Sequence, residues 1–425
     1  MLFQFNKYSS LLLIFFVHGL VYAFLLFRKS IKNETTHDKW LGLFLVLCSL
    51  YICPWMLGFA GWYDGEVCME CRNFLFYMPF QQALLMGPVI YFYLQSLLNP
   101  SFKFGKREWL QLVPSILYNT WIVVVAITDR LILKTYFFMN GQNDPDFDSW
   151  YIALSLISLL TYLVLSFKYY QRYKNIIYQE LSFADDVTYK WIRNFLIAFF
   201  IYFFSSLIIG LLDVFNAGFG YTGTWWYYLL FAIIYYYIAI TGYSNSIVTK
   251  ANYQLAFLQY KMPPLLGTSL PTETVTQDID FEEISEEKNK QATKEEQGPK
   301  EEQETNSKVL AAWKTKVLTA IVTDKMYQNP ELTLTDLSKH LSTNPSLLSK
   351  IINQGFEMNF NDLINYYRVE DVKLQLQNTA NAHLTIMSLA YDAGFNSKAT
   401  FNRAFKKVTG KSPKEYMVLT TEDKS

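Results

Sequence analysis

Charge is missing from long stretches of the first 245 residues of this 425-residue chain. Seven apolar stretches there carry essentially no Asp, Glu, Lys or Arg: Ser9–Phe27, Trp40–Trp62, Asn73–Leu98, Trp109–Thr128, Trp150–Phe167, Trp191–Leu212 and Trp225–Tyr243. Proton pumps and ion-coupled transporters keep ionisable side chains inside such stretches, so their near-absence argues against that chemistry. Histidine and cysteine are scarce too, at four each. No nucleophile–base set, phosphate loop or metal-ligand cluster can be assembled from the sequence, and His340 and His383 stand alone. An enzyme is therefore not expected, nor a metal or cofactor. All four cysteines, Cys48, Cys53, Cys68 and Cys71, lie in the first hundred residues. A C-terminal half without cysteine suits a reducing cytosol.

What is present divides the chain. Crossing a hydrocarbon core of ~30 Å takes about 20 apolar residues in a helix, which each of the seven stretches approaches or exceeds. Trp40, Trp109, Trp150, Trp191 and Trp225 stand at their ends, where amphipathic rings favour the headgroup region. Residues 7–27 loosely resemble a secretion signal, but no small-x-small site follows and Arg28-Lys29 comes at once, so a retained helix is expected. Orientation follows from loop charge. Arg28, Lys29, Lys32, Lys39, Lys103, Lys106, Arg107, Lys168, Arg172, Lys174, Lys190 and Arg193 fall on one side; only Lys7, Arg72, Arg130 and Lys134 fall on the other. The first set is expected in the cytoplasm, with the N-terminus outside and the seventh helix leading inward. Pro54, Pro79, Pro88 and Pro114 are expected to kink helices. His18, Gln81, Gln82 and Asn119 are polar groups suited to interhelical hydrogen bonds, with ligand contact the alternative. Cys68 and Cys71, as C-x-x-C in an external loop, admit a disulfide, two free thiols, a redox sensor or half a metal site.

The net charge of zero hides a second asymmetry. Asp278–Glu304 holds eleven acidic and four basic residues, whereas Lys308–Ser425 holds fifteen basic and eleven acidic ones. Few large apolar residues follow Phe281, so residues 246–307 are expected to be a juxtamembrane segment and a flexible acidic linker.

Beyond it, apolar periodicity predicts a helix over Val309–Met326 and two helix-turn-helix units. In the first, Leu334, Leu337 and Leu341 form one helix face; Asn344 caps a second helix begun by Pro345, with Leu348, Ile351 and Ile352 inward. In the second, Ile386, Leu389 and Ala390 face inward, Gly394 supplies a positive φ, and Asn396-Ser397 caps a helix burying Phe401, Phe405 and Val408. Leu348 corresponds to Phe401, and Ser338 to Ala390. Asn361–Gln377 is expected to link them as one helix through Leu363, Ile364, Tyr367, Val372 and Leu374. Ala393–Lys414 contains six basic residues and no acidic one.

LTLTDLSKHLSTNPSLLSKIIN, NFNDLINYYRVEDVKLQL and IMSLAYDAGFNSKATFNRAFKKVTGKSPKEY together resemble the DNA-binding domain of AraC-type transcriptional regulators over about Val309–Thr420. The motif GF-x-S-x3-F-x-R-x-F-K-K-x2-G-x-S-P-x2-Y makes the match specific. The whole chain is similar to membrane-embedded bacterial members of that family. The resemblance implies base-facing positions at Ser346, Ser349 and Lys350 in the first reading helix, and at Lys398, Ala399, Asn402 and Arg403 in the second. Arg403 suits a guanine edge in bidentate fashion. Lys406, Lys407 and Lys411 suit phosphate, which adds affinity and salt dependence. Ser342 stands where many members have glycine, and Met417 where arginine often follows the tyrosine.

The expectation is an all-α protein: a seven-helix transmembrane bundle (residues 1–245), the linker (246–307) and a double helix-turn-helix DNA-binding domain (308–421). It would sit in the bacterial inner membrane as a sequence-specific transcription regulator. Its partners would be double-stranded DNA, the lipid bilayer, an unidentified signal ligand, RNA polymerase and a second copy of the chain. The rival is a membrane receptor or transporter-like protein whose cytoplasmic tail binds a protein.

Overall fold

The computed structural model describes residues 3–64, 68–99, 102–139, 149–187, 190–214, 220–245, 299–378 and 383–422. These are helical almost throughout; the isolated β-bridge is Leu181 with Thr333. Two compact units divide the chain: Met1–Gln171 with Tyr189–Leu258, and Arg172–Thr188 with Gln259–Ser425.

The first unit begins with α1 (Lys7–Asn33), started by Asn6, whose side chain accepts from the amides of Tyr8 and Ser9. α2 (Thr36–Leu57) packs along it and ends in one π turn, Gly58–Trp62. The third apolar stretch, expected as one helix, is broken. α3 (Met69–Tyr77) and α4 (Ala83–Leu98) flank a non-helical Met78–Gln82, because Pro79 cannot donate and disfavours a helical Met78. Pro54, Pro88 and Pro114 lie inside α2, α4 and α5 (Lys106–Ile127). Then follow α6 (Ser149–Glu180), α7 (Ala184–Val187), α8 (Lys190–Val214) and α9 (Gly220–Asn245). Among the described residues five helices are long and apolar enough to cross a membrane: α1, α2 with its π turn, α5 with the π turn Thr128–Ile132, α6, and residues Thr222–Ser244 of α9. Ala83–Leu98 and Trp191–Ser205 are apolar but shorter. Among the described residues the expected seven thus stand as five long apolar helices and two shorter apolar ones, the second of them part of the 25-residue α8.

Several polar groups inside this unit pair with one another. Gln82 and Asn119 exchange side-chain hydrogen bonds in both directions, each 2.9 Å. The Tyr202 hydroxyl donates to Tyr51 at 2.8 Å and accepts from Tyr227. His18 instead lies on the surface against the Ile14 carbonyl and the Tyr236 ring. Cys68 and Cys71 are joined by a disulfide at the start of α3.

In the second unit, α10 (Pro299–Leu318) begins within the stretch expected to be linker, so residues 299–307 are helical; residues 246–298 lie outside those described. The helix expected to reach Met326 ends in a π turn at Thr319–Thr323, and Met326 starts a short 3-10 turn. α11 (Leu334–His340) and α12 (Pro345–Phe356) form the first helix-turn-helix; α14 (Ile386–Asp392) and α15 (Lys398–Thr409) form the second. α13 (Phe360–Gln377) joins them, and α16 (Pro413–Glu422) closes the unit. α13 belongs to two cores. Leu363 and Ile364 pack with Leu337, Leu348 and Ile351; Val369 and Val372 pack with Leu389, Phe401 and Phe405. Leu374, expected on the linking face, is exposed, since it points away from the face that carries Val372 and Leu376 onto the second core.

The two helix-turn-helix turns match bond for bond. Thr343 donates to the Ser338 carbonyl at 2.9 Å, and Phe395 to Ala390 at 3.0 Å. Ser342 donates to Lys339 at 3.1 Å, and Gly394 to Tyr391 at 3.0 Å. The residue at the bend is left-handed in both, Ser342 at φ +54° and Gly394 at φ +95°. This is the geometric reason for glycine at that place, and serine occupies it with strain. Any Cβ at Gly394 would also sit 2.7 Å from the carbonyl oxygens of Tyr327 and Gln328. The two positions therefore respond to substitution with opposite sign. Gly394→Ala is expected to cost about 2 kcal/mol or more, whereas Ser342→Gly gains up to about 1 kcal/mol. Amide exchange of the α13 core in the intact chain reads both.

Candidate nucleic-acid interface

Each candidate reading helix has one face committed to its core. α12 buries Leu348, Ile351 and Ile352, and starts on Asn344, whose side chain accepts from the Leu347 amide. Ser346, Lys350 and Asn353 are exposed on its other face, with Ser349 half-buried beside them. α15 buries Thr400, Phe401, Ala404 and Phe405. Phe395, Phe401, Phe405 and Tyr416 run edge to face, with successive ring centroids 5.3, 5.4 and 5.3 Å apart. With that face fixed, Lys398, Ala399, Asn402, Arg403, Lys406 and Lys407 all point outward, and Lys411 is exposed just beyond Gly410. The outward face thus combines an amide, a guanidinium and lysines, which suits base edges flanked by phosphates. Lys407 is paired with Asp362 of α13 at 2.7 Å, an exposed pair of small energy.

The sequence reading did not foresee a third component. Residues 180–186, between α6 and α8, lie in the same unit as these helices. Leu181, Ser182, Phe183 and Ala184 are fully or nearly fully buried. The Ser182 amide donates to the Leu332 carbonyl at 3.1 Å. Asn361 donates its side-chain amide to the carbonyls of Leu181 (3.1 Å) and Ser182 (2.8 Å). The Thr335 hydroxyl donates to the Glu180 carboxylate at 2.7 Å. On the far side, Asp185 forms an ion pair with Arg403. Asp186 accepts from the hydroxyls of Ser397 and Thr400, both at 2.7 Å. The acidic pair absent from Ala393–Lys414 is therefore supplied by residues some two hundred positions earlier in the chain.

Arg368 anchors the arrangement. It is 1% exposed and donates to the carbonyls of Tyr327 (2.8 Å) and Asn329 (2.7 Å), to Asn365 (3.2 Å) and to the Ser182 hydroxyl (3.2 Å). Burial lowers its pKa to about 9 while Asp186 pulls it up, so the guanidinium stays charged at neutral pH. Nothing in the local sequence around Arg368 marks it as interior. The available signal was Leu181-Ser182-Phe183-Ala184, apolar and small residues standing in a loop between two apolar helices.

Residues 337–418 match the family model of a helix-turn-helix domain, HTH_18, so the C-terminal part of the chain carries an AraC-type helix-turn-helix domain. An uncharacterized HTH-type transcriptional regulator of Staphylococcus aureus strain COL is 34% identical over 92 residues, which are 22% of this chain and 12% of that protein. Similar proteins of strains MSSA476 and N315 match with the same identity and coverage. The chain thus spans 12% of the length of the curated relatives it matches. A solved structure described as a protein of unknown function from Listeria innocua is 27% identical, covering 25% of this chain and 94% of its own, at a TM-score of 0.22.

Arg368→Met would leave several buried carbonyls without a donor, an expected loss of about 3 kcal/mol or more. Lys373, paired with Glu370 at 2.8 Å on the partly exposed side of the same helix, makes the contrast. Lys373→Met is expected to change stability by less than about 0.5 kcal/mol. Amide exchange across α13 distinguishes the two.

Proposed function

We propose that this chain is a membrane-bound, sequence-specific transcription regulator. The observation that carries the DNA part is α15, whose buried phenylalanines turn Lys398, Ala399, Asn402 and Arg403 outward as one face. Ser346, Ser349 and Lys350 form the corresponding face of α12 and contribute less base readout, since two of the three are short hydroxyls. Arg403 reads a guanine edge, Asn402 an adenine edge or a phosphate, and Lys406, Lys407 and Lys411 take phosphates. Two such helices in one domain address successive major grooves, about 34 Å apart along one face of a duplex.

The membrane part rests on the surface of the first unit. α1 exposes Ile14, Val17, Val21 and Phe24; α5 exposes Leu110, Leu117 and Val124; α6 exposes Ile157, Leu160 and Val164. Apolar faces this extensive are costly in water and natural in hydrocarbon. With five long apolar helices and two shorter ones, the chain makes seven crossings. α3 extends the third beyond α4, which alone reaches about 24 Å at 1.5 Å per residue. Loop charge places the N-terminus and the Cys68–Cys71 disulfide outside, and the helix-turn-helix domain in the cytoplasm of a bacterial cell. The bundle senses a ligand or state of the membrane. Pairing of two chains through the bundle raises the effective concentration of the second DNA-binding domain, and RNA polymerase is the partner through which bound protein changes transcription.

Arg403→Ala is expected to relax preference at one base position by about 1–3 kcal/mol. Lys411→Ala is expected to weaken binding evenly across sequences and lower the salt slope by about 1. Binding titrations at several salt concentrations on selected and scrambled duplexes separate the two. Equal effects of both variants on every duplex would remove base reading from α15.

A further inference from the structure

In this structure one residue of the outward face of α15, Arg403, is already held, and so is the start of the helix. Asp185, itself buried, holds Arg403, the residue assigned above to base reading. Asp186 takes the hydroxyls of Ser397 and Thr400 at the N-terminus of the same helix. A duplex asks for the same partners: a guanine edge for the guanidinium, and a phosphate for the donors around the helix N-terminus. The two carboxylates hold the groups that a guanine edge and a phosphate would use.

The placement is built rather than incidental. Four consecutive residues, Leu181–Ala184, are buried against the DNA-binding unit, and the backbone of Leu181 and Ser182 is tied by Asn361, Arg368 and Leu332. The segment reaches both helix-turn-helix units. Leu181 bridges to Thr333 and Glu180 accepts from Thr335 at the start of α11, while the aspartates lie on α15. Charge complementarity is one-sided, because the stretch Ala393–Lys414 has no acidic residue of its own.

We propose that residues 180–186 are an internal competitor for DNA. The segment holds Arg403 through Asp185 and the start of α15 through Asp186, and a duplex reaches Arg403 only when those carboxylates leave. The segment is continuous in the chain with α6 on one side and α8 on the other, two of the helices read above as membrane crossings. A signal that changes either helix therefore acts on the competitor directly, without passing through the long stretch 246–298. The proposal rests on the DNA-reading assignment of α15 and adds what controls it.

The test uses the full chain in lipid nanodiscs and two probes: a labelled random-sequence duplex pool, and the duplex enriched from that pool by the D185N/D186N variant. The substitutions keep side-chain shape and remove charge. The double variant is expected to bind the enriched duplex about tenfold tighter than the wild type or more, since removing the competing state raises the competent fraction. Arg403→Ala added to the double variant should abolish most of that gain. In the wild type, saturating duplex should speed exchange of the Ser182 amide, which the Leu332 carbonyl otherwise protects. Equal or weaker binding by the double variant, with the wild type still preferring the enriched duplex, overturns the competitor and leaves DNA reading intact. A Ser182 amide that stays protected in the saturated complex overturns it as well. If no variant prefers the enriched duplex to the random pool, the DNA-reading assignment fails and the competitor with it.

Discussion

The guanidinium of Arg368 lies where the separate parts of the C-terminal unit meet. It bonds the carbonyls of Tyr327 and Asn329, which precede the first helix-turn-helix, Asn365 on its own helix, and Ser182 from the segment between α6 and α8. It also lies 5.7 Å from the ring of Phe395, in the turn of the second helix-turn-helix. A buried charge is not by itself a source of stability, because its desolvation offsets much of what its partners return. What it supplies is definition. With five N–H donors in one rigid plane, few arrangements of the surrounding chain satisfy it. The relative placement of α12 and α15, which share little core with one another, depends on α13 and on this group.

Much of the domain was legible because its signals are local. Helix caps at Asn344 and Ser397, the bend glycine Gly394 and the apolar faces of α12 and α15 are set by residues within one or two turns of each other. So is the outward face: once Phe401 and Phe405 are inside, the direction of Asn402 and Arg403 follows from a period of 3.6 residues. The interior position of Arg368 and the docking of residues 180–186 could not be read this way. Both depend on contacts distant in sequence, about 40 positions for Arg368 with Tyr327 and Asn329 and roughly 150 to 220 for residues 180–186, and an arginine or an aspartate at such a site looks like any surface charge. Leu374 errs in the opposite direction, an apolar residue on the helix face turned away from the core that Val372 and Leu376 join.

In the first unit the same contrast appears. Apolar stretches located the helices, but hydropathy alone could not show the break at Met78–Gln82, where a proline outweighs an otherwise continuous apolar run. Hydroxyls and amides inside this unit are paired in networks such as Tyr51–Tyr202–Tyr227 and Gln82–Asn119. Polar groups in an apolar setting are costly unless satisfied, so such networks hold particular helices together. The chain combines two kinds of order: apolar faces that a bilayer would cover, and a domain whose basic face has Arg403 and Lys407 paired with acidic residues from elsewhere in the chain.

The central claim is that one chain both resides in a membrane and recognises particular DNA sequences. Crosslinking the intact protein to DNA in living cells, followed by isolation of the membrane fraction and sequencing of the attached DNA, tests this most directly. The account predicts discrete genomic sites recovered with the membrane and lost for an Arg403→Ala chain. Uniform recovery of genomic DNA, or discrete sites recovered only with soluble protein, would contradict it.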